Sequence, residues 1–425
     1  MASTPKERLH AVLRWSERYT KTDMVYLFTA GWWVNLNFVI VSLLSLLLSI
    51  ALANLLPKET YGLYQYLLSL SALVGALMLG GMGNAVTQAV ARGYEGALRS
   101  AVGVQLRWGM VPALLSLVGA GYYFLHGNMD VAFGLGCIAV ATPLVNAFST
   151  YNAYLTGKRE FRQSFYYSSI VTGAYYAAIF VSLLFLRSAP LLLLVNLGVN
   201  AVASAYVYWL TLRRYQPGTA TDPGMIPYGS HLSVMSGFST LLSQLDSVLV
   251  FHFLGPVPLA VYSLATAIPE RAGGAFNFIG TALLPKLANH SHDHIRQNIL
   301  PKLARLAALS AAGAIAYAVF APFLFHLVFP QYASAIPYTE AYALIIMLMT
   351  VLNTLTTVFV AMGKKRELYA LTVGNPVVLL VFQVPLLLTF GVMGMIVARM
   401  AADALAIVVG MVLLVRDASR ETALR

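Results

Sequence analysis

Apolar segments of twenty or more residues recur along the whole chain, divided by short joints rich in Gly, Pro, Asn and Asp. About 20 such residues in a helix cross the hydrocarbon core of a bilayer. The pattern predicts twelve spans, near 30–55, 62–91, 101–125, 131–156, 164–186, 189–212, 230–254, 258–286, 303–328, 337–362, 368–389 and 391–415. The joints LLPKET, HGNMD, SAP, LGPVP, FPQYASAIP and TFGVMG supply turn chemistry. Only 10% of the residues are charged and the mean hydropathy is +0.73, whereas a soluble domain is about one quarter charged. Within lipid each backbone N–H and C=O must be paired inside its own segment, so apolar spans of this length are helices. The expected fold is therefore all-α and integral to a membrane.

Basic residues set the orientation. Of the 27 Lys and Arg residues, 23 fall in the N-terminal tail, the even-to-odd connections and the C-terminal tail. The opposite side holds only Lys58 and Arg187, and Arg271 and Arg399 lie within spans. Positive charge collects on the cytoplasmic side, so both termini are expected in the cytoplasm. The net charge of +11 is spent on flanking spans rather than on one basic face, which excludes a nucleic-acid partner. The first 26 residues are polar and basic and do not read as a cleavable signal peptide. Leu9, Val12 and Leu13 there make one side of a short interfacial helix or belong to a frayed tail. A single cysteine, Cys137, excludes an internal disulfide and any cysteine-rich metal site.

The chain also repeats itself. LLSLLLSIALANLLPKETYGLY at 43–64 aligns without gaps on LLSQLDSVLVFHFLGPVPLAVY at 241–262. NAFSTYNAYLTGKREF at 146–161 echoes NTLTTVFVAMGKKREL at 353–368. Two repeats in the same order predict two six-helix bundles. An even number of spans per unit makes the bundles parallel, with a substrate path between them. The expected organisation is a basic segment at 1–29, one bundle at 30–213, a cytoplasmic linker at 214–229, a second bundle at 230–416 and a tail at 417–425. GKRE and GKKRE read as a Gly helix stop followed by positive-inside charge. No GxxxxGK[ST] occurs, so no nucleotide cofactor is expected.

Charges at membrane depth are confined to the second half: Asp246, Glu270, Arg271, Arg399 and Asp403. The aligned first-half residues are Leu48, Ala72 and Leu73 for the first three. A charge at the centre of a lipid-exposed helix costs at least about 2.5 kcal/mol, so these groups are expected to face the interior or a watery cavity. Thr266, Glu270, Gly273, Asn277 and Thr281 recur at helical spacing as a polar stripe. Arg271 lies about 100° round the helix from Glu270, which separates the two. Arg271, Arg399, Asn277 and Asn84 are the candidate substrate-binding residues; Asp246, Glu270 and Asp403 are candidates for ion coupling. A structural alternative pairs Asp246 or Glu270 with Arg271, and Arg399 with Asp403 one turn on. Arg suits a diphosphate because its planar fork binds two oxygens while staying charged. Lower in rank, Asn84, Thr87 and Gln88 adjoin Gly80, Gly81 and Gly83, a stripe that suits helix packing. Tyr151, Tyr154, Tyr166, Tyr167, Tyr175 and Tyr176 suit an interfacial belt or stacking on sugars. The histidines of NHSHDHIR at 289–296 read as a solvated loop rather than a metal site.

LLPKETYGLYQYLLSLSALVGALMLGGMGNAVTQAVARG at 55–93 resembles the first repeat of the polysaccharide transporters, the Wzx-type flippases of lipid-linked oligosaccharides. SQLDSVLVFHFLGPVPLAVYSLA at 243–265 resembles their second-half signature, and the segments ALIIMLMTVLNTLTTVFVAMGKKREL and TFGVMGMIVARM are also similar. The resemblance covers nearly the whole chain. It implies the multidrug/oligosaccharidyl-lipid/polysaccharide superfamily fold: two six-helix bundles around a cationic central cavity, in a prokaryotic cytoplasmic (inner) membrane. It further implies transfer of an undecaprenyl-diphosphate-linked oligosaccharide to the outer leaflet by alternating access, for a surface polysaccharide such as O-antigen. Asp246 matches the family's seventh-span Asp, and Arg271 falls in the span where relatives carry a basic cavity residue. The partners implied are the lipid-linked glycan, membrane lipids, a coupling H+ or Na+, and polysaccharide assembly proteins. The competing readings are a cation-coupled multidrug exporter and a membrane polymerase, ligase or glycosyltransferase. Short outer loops and the lack of a DxD motif disfavour an enzyme.

Overall fold

The computed structural model describes residues 24–271, 292–362 and 364–422. The first half begins with α1 (Met24–Leu55), α2 (Lys58–Ala76), α3 (Met82–Ala91), α4 (Ala97–Leu125) and α5 (Met129–Phe148). It continues with α6 (Thr150–Gly157), α7 (Phe161–Ser182) and α8 (Ala189–Tyr215). The second half has α9 (Met225–Leu254), α10 (256–271), α11 (His292–Val328), a 3-10 turn (Pro330–Ala335) and α12 (Ile336–Ala361). The short α13 (Lys365–Tyr369) and a π turn (Ala370–Gly374) lead into α14 (Asn375–Thr422). Among the described residues, eight runs are long and apolar enough to cross a membrane. The basic N-terminal segment through residue 23, Asn277 and the rest of the eighth span beyond residue 271 lie outside the described residues.

Local chemistry accounts for the ends. Asn128 accepts a hydrogen bond from the Val131 amide at 3.3 Å and caps α5. Gly255 closes α9 with φ +93°, and α10 starts at the next residue, Pro256. That start lies 198 residues beyond the start of α2, at the offset of the sequence repeat.

Two expectations need correction. The second span is not one helix: it breaks between α2 and α3, at 77–81. Gly80 and Gly81 weaken the helix there by about 1 kcal/mol each, and side chains satisfy the opened backbone. Trp108 Nε1 donates to the Leu77 carbonyl at 3.0 Å and Gln105 Nε2 to the Leu79 carbonyl at 3.2 Å. The Gly81 amide donates to Ser233 Oγ at 3.0 Å. Gln105 is itself held by Thr150 Oγ1 at 2.7 Å. Non-helical backbone at membrane depth persists only with such partners.

Second, Gly157 of GKRE is not a left-handed helix stop: Arg159, with φ +63°, makes that turn. A Cβ on Gly157 would meet the Thr87 carbonyl oxygen at 2.7 Å and Val90 Cβ at 2.8 Å, so the glycine serves close approach to α3. Helix α14 is not one straight rod. At Gly391, φ is +58° and ψ is −137°. A Cβ on Gly394 would lie 1.8 Å from the Leu386 carbonyl, although eight residues of straight helix span about 12 Å. The chain therefore folds back near Gly391, between the segments expected as the eleventh and twelfth spans.

The described residues form two compact units. One takes those up to Leu48, Val74–Leu186 and Pro190–Gly237. Its core packs Met82, Val86 and Val90 of α3 on Leu98 and Val102 of α4, with Tyr151 and Tyr154 of α6. The other takes Ser49–Leu73, Arg187–Ala189 and the described residues from Phe238 on. Its core gathers Leu355, Val358 and Phe359 of α12 with Ala406 and Leu414 of α14.

A candidate site in the second unit

Four elements of the second unit bring its charges together. Asp246 sits on α9, eight residues before that helix ends at Leu254, and is only 5% exposed. Because α14 folds back at Gly391, one face of its first arm and one face of its second arm both reach Asp246. Gln383 Nε2 on the first arm donates to Asp246 Oδ1 at 2.5 Å. On the second arm, Arg399 NH1 lies 3.6 Å from Asp246 Oδ2. Tyr262 of α10 donates its hydroxyl to Asp246 Oδ2 at 3.0 Å.

Arg399 is shared. Its Nε stands 3.8 Å from Oδ2 of Asp403, one turn along α14. Asp403, 3% exposed, also accepts from Asn375 Nδ2 at 2.8 Å. Asn375 and Asp403 are 28 residues apart, a distance of about 42 Å in a straight helix, so the hairpin is what makes this contact. With both carboxylates ionised, Asp246, Arg399 and Asp403 carry a net −1. Three oxygens around them, Asn375 Oδ1, Gln383 Oε1 and Asp403 Oδ2, are buried without a hydrogen-bond partner. Such a cluster of acceptors is chemically suited to a proton or a small monovalent cation.

Glu270 and Arg271 are anchored differently. The Tyr342 hydroxyl of α12 donates to Glu270 Oε1 at 2.9 Å. The Arg271 guanidinium donates to the Ala267 carbonyl, one turn back on its own helix, at 2.7 Å. Near them, Thr339 Oγ1 bonds the Ala265 carbonyl at 2.8 Å and meets the Tyr317 hydroxyl at 2.7 Å. Of the other sequence-derived candidates, Asn84 is exposed on α3 in the first unit. Its neighbours are engaged in packing: Thr87 Oγ1 bonds the Ala153 carbonyl at 3.1 Å and Gln88 bonds the Tyr228 hydroxyl at 3.1 Å. Among the described residues, no group of three His, Cys, Asp or Glu side chains is placed to hold a metal.

The structural alternative paired Arg271 with Asp246 or Glu270; Asp246 instead forms its ion pair across helices with Arg399. The Arg399–Asp403 pair is local, at i,i+4, and is the one the structural alternative named. Gln383, Asn375, Tyr262 and Tyr342 were missed altogether from the sequence. The available signal was two amides on the first arm of α14, Asn375 and Gln383, within an otherwise apolar run.

The family model for polysaccharide biosynthesis proteins matches residues 28–291. No curated protein matches the chain. Among solved structures, an inward-facing multidrug resistance MATE family transporter of the MOP superfamily is similar with TM-score 0.63 at 16% identity. The match covers 88% of this chain and 95% of that one. The lipid II flippase MurJ, in an inward closed conformation, is similar with TM-score 0.60 at 14% identity, covering 89% and 87%. The MATE multidrug transporter DinF-BH gives 0.63 at 15%, covering 92% and 95%. At these identities the likeness is one of fold.

Proposed function

The chain belongs to the polysaccharide biosynthesis protein family, and on that premise we propose that it is a flippase for a polyprenyl-diphosphate-linked oligosaccharide. In this reading it carries the glycan from the inner to the outer leaflet of a prokaryotic cytoplasmic membrane by alternating access, without catalysing a reaction. The observation that carries it is the family match over 28–291 in a chain with eight membrane-length helical runs. We propose twelve spans: those eight runs, with the broken α2–α3, α7, the span begun by α10 and the second arm of α14 as the other four.

Asp246, Asp403 and Glu270 are proposed to couple transport to H+ or Na+. The unbalanced charge beside Arg399 and the amide oxygens of Asn375 and Gln383, buried without a hydrogen-bond partner, support this role. Arg271, and beyond the described residues Asn277, are proposed to meet the diphosphate. Asn84 is proposed to touch the substrate from the first unit. In this reading Arg399 acts on the substrate only through the aspartates it neutralises.

The test is reconstitution. Purified protein in liposomes is expected to move a fluorescent lipid-linked oligosaccharide between leaflets. Arg271→Ala abolishes that movement at normal protein level, whereas Arg271→Lys keeps part of it. A second reading, a cation-coupled multidrug exporter, draws on the multidrug transporters of similar fold. Uptake of small organic cations with no movement of the glycolipid would establish that reading and sink the first.

A further inference from the structure

The first unit contains a half-enclosed cavity of about 150 Å³ where α1, α6 and α7 meet. Its aromatic lining is Trp33 from α1 with Phe161 and Phe165 from α7. Trp33 and Phe165 lie 5.1 Å apart between ring centroids, and Trp33 also meets Tyr166 at 6.0 Å. The rest of the lining is amide and hydroxyl: Asn37, Asn152, Thr156, Ser164 and Ser168. No ionisable side chain lines it.

Five hydrogen-bonding side chains converging from three helices are costly in an apolar bundle unless something engages them. Some of that demand is met internally, since the Ser164 hydroxyl donates to Asn152 Oδ1. Asn37 Oδ1 is not met: it is buried with no partner. The absence of a carboxylate disfavours a cation, and the absence of a base in the lining disfavours a phosphate. What matches aromatic rings set among uncharged donors and acceptors is a neutral pyranose. Its C–H face packs on the aromatic rings while its hydroxyls exchange hydrogen bonds with amides and alcohols.

We propose that this cavity is a subsite for one neutral sugar ring, with Trp33 as the stacking platform and Asn37, Asn152 and Ser168 reading the hydroxyls. It deepens the glycolipid reading above and rests on it for its biological ligand. The cavity adjoins the Lys158–Arg162 turn, the cytoplasmic end in the proposed orientation, where a glycan enters from the inner leaflet. Just outside the lining, the Arg162 guanidinium stands 5.6 Å over the Tyr166 ring, placing a cation near the mouth.

Saturation-transfer NMR on the full chain in nanodiscs tests the subsite, with glucose, galactose and N-acetylglucosamine as probes and acyclic sorbitol as control. At least one pyranose is expected to give a signal at its C–H protons that sorbitol does not give. That signal falls at least fivefold in Trp33→Leu and Asn37→Ala, and is largely kept in Trp33→Phe. Thermal melts of Trp33→Leu and Trp33→Phe should coincide, which separates lost stacking from lost folding. No pyranose signal, or one indifferent to these substitutions, overturns the subsite and leaves a water-filled packing space. Liposome assays of the same variants separate the two proposals. Glycolipid movement unaffected by Trp33→Leu overturns the subsite alone. Pyranose binding that depends on Trp33, without glycolipid movement by the native protein, overturns the flippase reading alone.

Discussion

Replacing Arg399 by Met is expected to be among the most destabilising single changes in the second unit. The guanidinium lies 3.6 Å from Asp246 and 3.8 Å from Asp403, and both aspartates are buried. At an effective dielectric of about 20, each of those attractions is worth about 4–5 kcal/mol before desolvation is subtracted. Methionine fills a similar volume but leaves two carboxylates facing each other without a cation. Removing one partner of a buried pair costs about 3–5 kcal/mol, and Arg399→Met is expected in that range. Asp403→Asn should cost less, under about 2 kcal/mol, since Asp246 and Arg399 then form a neutral pair. The double variant Asp246→Asn with Arg399→Met should be less destabilised than the sum of its parts by at least about 1.5 kcal/mol. Denaturant unfolding in mixed micelles, followed by circular dichroism, measures the native protein, Arg399→Met, Asp403→Asn, Asp246→Asn and the double variant. A loss below about 1 kcal/mol for Arg399→Met, or strict additivity in the cycle, would refute the shared-guanidinium argument.

Two further outcomes can be checked the same way. Gln105→Leu should cost about 1–3 kcal/mol, because it strips the Leu79 carbonyl and Thr150 of a buried partner while keeping side-chain volume. Equal stability of Gln105→Leu and the native protein would show that the break at 77–81 needs no such support. In the loop before α4, a hydrogen bond from Lys158 holds the Glu95 carboxyl below its ordinary value near 4.5. A carboxyl depressed in the folded state adds stability that is full above the unfolded value and is lost as pH falls through the folded one. Melting curves between about pH 6 and 3 should therefore show the native protein losing up to about 1 kcal/mol more than Lys158→Met. Parallel curves would remove Glu95 from the account.

Much of the architecture could be read in advance because membrane spans announce themselves through length and composition. The joints at Pro57, Gly127 and Gly255 fall where turn residues interrupt apolar runs. The charged candidates were also visible, since an ionisable side chain in such a run stands out. Their partners were not. Asp246 finds Arg399 across 153 positions, and nothing in local periodicity encodes a contact that depends on α14 reversing at Gly391. Glu270 is held by a phenol on α12, whose apolar ring hides it within an ordinary span. The break at 77–81 escaped for a similar reason: LGGMG reads equally as a packing stripe, and Trp108 and Gln105 complete it from another helix.

The distance along the chain between Asp246 and Arg399 has a consequence in time. A ribosome adding about 5–20 residues per second needs roughly 8–30 s to travel from one to the other. During that interval the seventh span is already made while the cation for its carboxylate does not yet exist. Asp246 must wait protonated, wetted or sheltered by the insertion machinery, and a chain that stops before its last helix never relieves it. The final helical hairpin is thus also the step that commits the newborn second unit, and premature termination there should mark the product for degradation.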